Sequence, residues 1–118
     1  MPGVSIHVVD VSRGVVASGM RVELAAAPAD APERLIASDT VSQTGVLDHP
    51  ALAKTFEPGF YVARFHVGDY YRATTGNAAA VPFLDVVSYR FGLADPKAHY
   101  HLPMKCTPWG YSCFRGGA

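Results

Sequence analysis

The residues best equipped for chemistry gather toward the C-terminal end of the chain, over the segment His99-Tyr100-His101-Leu102-Pro103-Met104-Lys105-Cys106. Successive side chains of a strand point to opposite faces. One face of this segment therefore carries His99, His101, Pro103 and Lys105, and the other carries Tyr100, Leu102, Met104 and Cys106. The second set is apolar and is expected to face a core. The first is a row of titratable groups. Neighbouring positions on one face lie about 6 to 7 Å apart, a spacing at which a small ligand could span His101 and Lys105. Pro103 cannot donate to a ladder, which predicts an edge or a bulge.

Beyond a tight turn at Pro108-Trp109-Gly110 the chain returns through Tyr111-Ser112-Cys113-Phe114 and reaches Arg115-Gly116-Gly117-Ala118. Polar, glycine-rich ends commonly fray. This one continues directly from a strand bearing Tyr111 and Phe114, so it is expected to be held, with Arg115 beside the histidine strand. Near the opposite end, Ser5-Ile6-His7-Val8-Val9 repeats the alternation. Ile6 and Val8 suit a core. Ser5, His7 and Val9 form an outer face too apolar for plain solvent exposure, as expected of a subunit interface or a ligand groove.

A neutral imidazole titrates near physiological pH and can move a proton to or from a reacting group. A nearby cation can hold a developing oxyanion. His7 and His101 are the candidate acid–base pair, and Lys105 and Arg115 the candidate cations. The other histidines read as structural: His99 as a solvated edge residue, His66 beside a strand end, and His49 in a loop before Pro50. No zinc set is apparent, because no carboxylate or cysteine pairs with the histidines at ligand spacing, and no metal or other cofactor is expected. Neither a Ser-His-Asp order nor a phosphate-binding loop is present.

These residues must be positioned by strands. The 118-residue chain is 49% hydrophobic and 17% charged, values of one folded domain with a single core, assigned to residues 1–118. Its formal net charge is zero, which argues against nucleic acid or an anionic membrane as partner. No apolar run approaches the roughly 20 residues of a membrane-spanning helix, and no basic segment leads into an apolar one at the start. A cytoplasmic location is expected, with Cys106 and Cys113 as reduced thiols.

Short apolar runs separated by turn signals predict an all-β sandwich of two antiparallel sheets. Strands are expected over Val4–Asp10, Met20–Ala25, Arg34–Val41, Leu52–Phe56, Phe60–Val67, Phe83–Phe91, Ala98–Cys106 and Tyr111–Phe114. Ser42-Gln43-Thr44-Gly45 reads as a turn. Gly68–Thr75 reads as one short helical turn, started by Asp69 and stopped by Gly76.

Several segments together carry a resemblance. They are Ile6-His7-Val8-Val9-Asp10, Gly19-Met20-Arg21-Val22-Glu23-Leu24, Phe65-His66-Val67-Gly68-Asp69-Tyr70-Tyr71-Arg72, Ala94-Asp95-Pro96, Tyr100-His101-Leu102-Pro103, and Pro108-Trp109-Gly110-Tyr111-Ser112 leading to Arg115-Gly116. Nearly the whole chain resembles the transthyretin-like family, in its 5-hydroxyisourate hydrolase branch. The resemblance implies an eight-stranded β-sandwich assembled as a homotetramer, a dimer of dimers. Small-molecule sites would lie in the channel between dimers, lined by the first strand, the last two strands and the C-terminal residues. It puts the family's two histidines on His7 and His101, and its terminal arginine and glycine on Arg115 and Gly116.

It also exposes departures. The family's arginine after a turn glycine is Val46 here, its terminal tyrosine is Phe114, its terminal serine is Gly117, and its leucine is Lys105. A planar guanidinium fork is not replaced by an isopropyl group without consequence for a polar ring. The substrate contacts are expected from Ser5, Val46, Ser112, Phe114 and Arg115, and the catalytic groups are His7, His101 and Lys105. Lys105 has three roles open to it: an electrostatic clamp, an amine nucleophile, or a surface lysine. The preferred functional reading is a divergent enzyme of this family using histidine acid–base chemistry on a small polar heterocycle. The alternatives are a genuine 5-hydroxyisourate hydrolase of purine degradation and a non-catalytic small-molecule binder.

Overall fold

Alternation of apolar and polar residues builds two sheets whose apolar rows meet. The computed structural model describes residues 2–75 and 81–117. Its strands are β1 (Gly3–Asp10), β2 (Val15–Val16), β3 (Arg21–Ala26), β4 (Arg34–Thr40), β5 (Gly59–His66), β6 (Val86–Leu93), β7 (His99–Cys106) and β8 (Tyr111–Cys113), with one helix, α1 (Val67–Thr75), between β5 and β6. The first sheet has the order β2-β1-β7-β8 and the second β4-β3-β5-β6. Every pairing is antiparallel except that of β1 with β7, the two strands that carry His7 and His101.

Ile6 and Val8 from β1 pack with Leu102 and Met104 from β7 and with Val22, Leu24, Ala63 and Phe65 from the second sheet, each at most 1% exposed. Burying a side chain of the Leu, Ile or Phe class contributes roughly 1.5–3 kcal/mol. This strip of core therefore fixes which rows of β1 and β7 look outward. The sandwich, the short helix and the inward rows match the sequence expectation.

Three local expectations are corrected. The segment predicted as a strand over Leu52–Phe56 contains instead a 3-10 turn over Pro50–Ala53. His49 caps it, its Nδ1 accepting from the Ala51 N–H at 3.1 Å, and Pro50 suits the first helical position because its fixed φ is helical and its missing N–H is not needed there. The eighth strand is instead β2, two residues pairing with Val9 and Asp10. The strand expected from Phe83 begins only at Val86. Finally, α1 starts at Val67, before Asp69, which lies inside its first turn; the expected stop at Gly76 lies outside the described residues.

Helix α1 is tied to the end of β1 by Asp10, which is fully buried. Its carboxylate accepts from Tyr71 Oη at 2.6 Å, Tyr70 Oη at 2.9 Å and Ser12 Oγ at 2.7 Å. Burial alone would raise the Asp10 pKa, but these hydroxyls, Tyr71 foremost, hold it below its usual value. Burial and the same bond push the Tyr70 hydroxyl up to about 12. The network fixes the C-terminal end of the strand that carries His7.

Candidate active site

The parallel register of β1 and β7 sets Ser5 opposite His101, His7 opposite Pro103 and Val9 opposite Lys105. Partners across a sheet share a face, so Ser5, His7, His101 and Lys105 stand together on the outer side of the first sheet. The β7–β8 pairing adds Ser112 opposite Lys105. Lys105 is exposed and lies four residues from His101, about 13 Å along the strand. The strand spacing thus puts Lys105 farther from His101 than one step of the face, and a ligand on the imidazoles would reach it only through the length of its side chain.

Val46 joins this face from the turn after β4. It forms an antiparallel bridge with His7, framed by hydrogen bonds from Val8 N–H to Gly45 O at 2.9 Å and from Leu47 N–H to Ile6 O at 3.0 Å. Gly45 has φ +87°, and a Cβ there would lie 2.6 Å from His7 Nε2. Only glycine meets both demands: the left-handed backbone and the contact with the imidazole. The turn thus delivers Val46 beside His7 with its side chain 37% exposed.

The C-terminal segment is held, and His101 is what holds it. Gly116 N–H donates to His101 O at 2.7 Å, and a Cβ at Gly116 would lie 2.8 Å from His101 Cδ2. Arg115 is placed against Tyr100. Its guanidinium carbon sits 4.0 Å from the centroid of the Tyr100 ring, in the core-side row of β7. That ring is itself fixed, its hydroxyl accepting from the N–H groups of Ala94 and Asp95. Ser112 and Phe114 are exposed.

The tightest polar contacts on this face belong to Ser5. Its Oγ lies 2.6 Å from His101 Nδ1 and 2.8 Å from His99 Nε2. Sequence reasoning set His99 aside as a solvated edge residue; the signal that could have retained it is its position two residues before His101 on the same face. Partial burial, then the proximity of His7 and of His99, pushes the His101 pKa below its ordinary 6.5. His101 is therefore neutral at neutral pH, as a general base must be.

Other features do not compete for this role. Two adjoining clefts sharing Arg34, Glu57 and Tyr61 lie away from the histidines, and neither is lined by His7 or His101. Cys106 and Cys113 are free; burial pushes both thiols up, that of Cys113 to about 11, away from nucleophilic thiolate. Among the described residues no three His, Cys, Asp or Glu side chains gather where they could hold a metal ion, and no helix is long and apolar enough to cross a membrane.

Comparison with known proteins adds to this geometry. A family model described as "HIUase/Transthyretin family" matches residues 4–116. The 5-hydroxyisourate hydrolase of Deinococcus radiodurans is 40% identical over 116 residues, covering 98% of this chain and 96% of that one. Among solved structures, (S)-allantoin synthase superposes with a TM-score of 0.87 at 32% identity; the match covers 98% of this chain, which spans 43% of that longer protein. Transthyretin from Sparus aurata superposes with a TM-score of 0.82 at 22% identity, covering 98% and 97% of the two chains, a likeness of fold alone.

Proposed function

The chain belongs to the HIUase/transthyretin family, and from that premise we propose that it hydrolyses 5-hydroxyisourate, the substrate named for its 40%-identical relative. The observation that carries this reading is the convergence of His7, Ser5 and a neutral His101 on one outer face, through the parallel register of β1 and β7. In the proposed reaction His101 takes a proton from water as its oxygen attacks a ring carbonyl carbon. The tetrahedral adduct then collapses, the ring C–N bond breaks, and the leaving nitrogen takes a proton from the imidazolium. His7, two positions along β1 from Ser5, hydrogen-bonds the ring or shares the proton work.

Positive charge near the developing oxyanion comes from Lys105 and, when a ligand draws it off Tyr100, from Arg115. Hydrolysis needs no amine adduct, so Lys105 acts as a cation. With Val46 in place of a guanidinium beside His7, the enzyme binds its ring more weakly than an arginine-bearing relative would.

The histidines stand on the outer side of a sheet, and a site that excludes water needs a cover. A second copy of the same chain supplies it in this reading, as the dimer–dimer contact of a homotetramer. The apolar residues Val46 and Phe114, 37% and 43% exposed, support such a contact. The substitution at Val46 favours the second reading, a related ring as true substrate. The full-length identity to named hydrolases weighs more. The assay is direct: 5-hydroxyisourate is generated in place with urate oxidase, and its absorbance decay is followed with and without the purified protein. Decay accelerated in proportion to protein concentration is expected. Decay at the spontaneous rate, with turnover of another cyclic amide, would transfer the assignment to the second reading.

A further inference from the structure

We propose that His99 and Ser5 form a hydrogen-bonded relay that holds His101 as the Nδ1–H tautomer and leaves its Nε2 as the free base. His99 and Ser5 are positioning residues in this assignment, and its catalytic meaning rests on the hydrolase reading above.

The direction of the relay follows from counting donors. The chain of contacts runs from Pro2 O to His99 Nδ1 at 3.4 Å, from His99 Nε2 to Ser5 Oγ at 2.8 Å, and from Ser5 Oγ to His101 Nδ1 at 2.6 Å. A carbonyl oxygen only accepts, so His99 donates from Nδ1. In a neutral imidazole the other nitrogen is then an acceptor, and it takes the single hydroxyl proton of Ser5. The Ser5 oxygen has spent its proton and can only accept from His101, which must carry its hydrogen on Nδ1. The Nε2 lone pair of His101 is left for water. Running the chain the other way would set a nitrogen lone pair against the Pro2 carbonyl.

The fold dictates this arrangement. Ser5 is the register partner of His101, and His99 is the register partner of Gly3, one face position back. A short hydroxyl on β1 therefore falls between two imidazoles on β7. Its one donor and one of its two acceptor lone pairs are consumed within the protein, so Ser5 could meet the substrate, as sequence reasoning expected, only as the acceptor of one further hydrogen bond. Gly116 N–H, bonded to His101 O, fixes the backbone from the other side. Outer-shell partners of this kind orient a working histidine and commonly carry a 10- to 100-fold effect.

The test is histidine-ring 1H–15N correlation spectroscopy of the whole protein at about pH 8, where imidazoles are neutral, on wild type, Ser5→Ala and Ser5→Thr, with kinetics on the same samples. His101 is expected to carry its proton on Nδ1 in the wild type and in Ser5→Thr, and to shift toward the Nε2–H form in Ser5→Ala. The Ser5→Ala kcat should fall about 10- to 100-fold with KM within about twofold, and Ser5→Thr should retain activity within a few-fold. A wild-type His101 protonated on Nε2 would overturn the relay, as would a Ser5→Ala spectrum and kcat unchanged from wild type. The ring spectra need no substrate, so they decide the tautomer even if 5-hydroxyisourate is not turned over.

Discussion

In the proposed mechanism His101 is a base whose surroundings keep it available. Partial burial and the neighbouring His7 and His99 disfavour its charged form, so its pKa lies below 6.5. A base works unprotonated; the acid limb of kcat/KM should therefore have its midpoint below 6.5, reporting the depressed value. A limb centred above 6.5 in the kcat/KM profile would contradict that assignment. Gly116 offers a second test at the same scale. A methyl group there meets the His101 ring at 2.8 Å, so Gly116→Ala should displace the imidazole and lower kcat about tenfold or more, with little change in melting temperature. Alternation along two short strands was enough to put His7 and His101 on outward rows, because each row opposite is unambiguously apolar. The contacts of Ser5 with His99 and His101 were not legible, because they depend on a register between residues 94 and 96 positions apart. Nor was the turn of Arg115 onto Tyr100, a tertiary contact that no local pattern encodes.

The elements that carry these residues are anchored at Asp10. Its three hydroxyl donors bind β1 to α1 and to the residues just after the strand. Asp10→Asn should cost about 3 kcal/mol, because a buried charge network loses the ion it was built around, and chemical denaturation should register it as a lower midpoint. The pH dependence follows from the depressed pKa. The stabilisation is present above the unfolded value near 3.8 and is lost as pH falls through the lower folded value. Wild type should therefore lose more stability than Asp10→Asn on acidification below about pH 4. The long strands were readable because each spans several periods of the pattern. The two residues of β2 are too few to show a period, and Pro50, preceded by a capping His49, converts an apolar stretch into a 3-10 turn.

For the molecule as a whole, the proposed catalytic residues stand on the outer side of one sheet, and the two clefts that share Arg34, Glu57 and Tyr61 do not include them. In the proposed reading a second copy of the chain completes the site. Sedimentation should give a mass four times that of the 12.6 kDa chain, and specific activity should fall on dilution as that species dissociates. A monomer with full activity would rule out the shared channel. Val46 would line the proposed channel: Val46→Arg should lower KM roughly tenfold, the value of one added charged hydrogen bond, if the ring lies beside His7. The central claim is that the His7–His101 face hydrolyses 5-hydroxyisourate. It is tested most directly by following the decay of freshly generated substrate with equal amounts of wild type and His101→Ala, both verified as folded and assembled. Wild type should accelerate decay while His101→Ala is slower by a factor of about 10² to 10⁴; equal rates for the two proteins, or wild-type decay no faster than the spontaneous reaction, would contradict it.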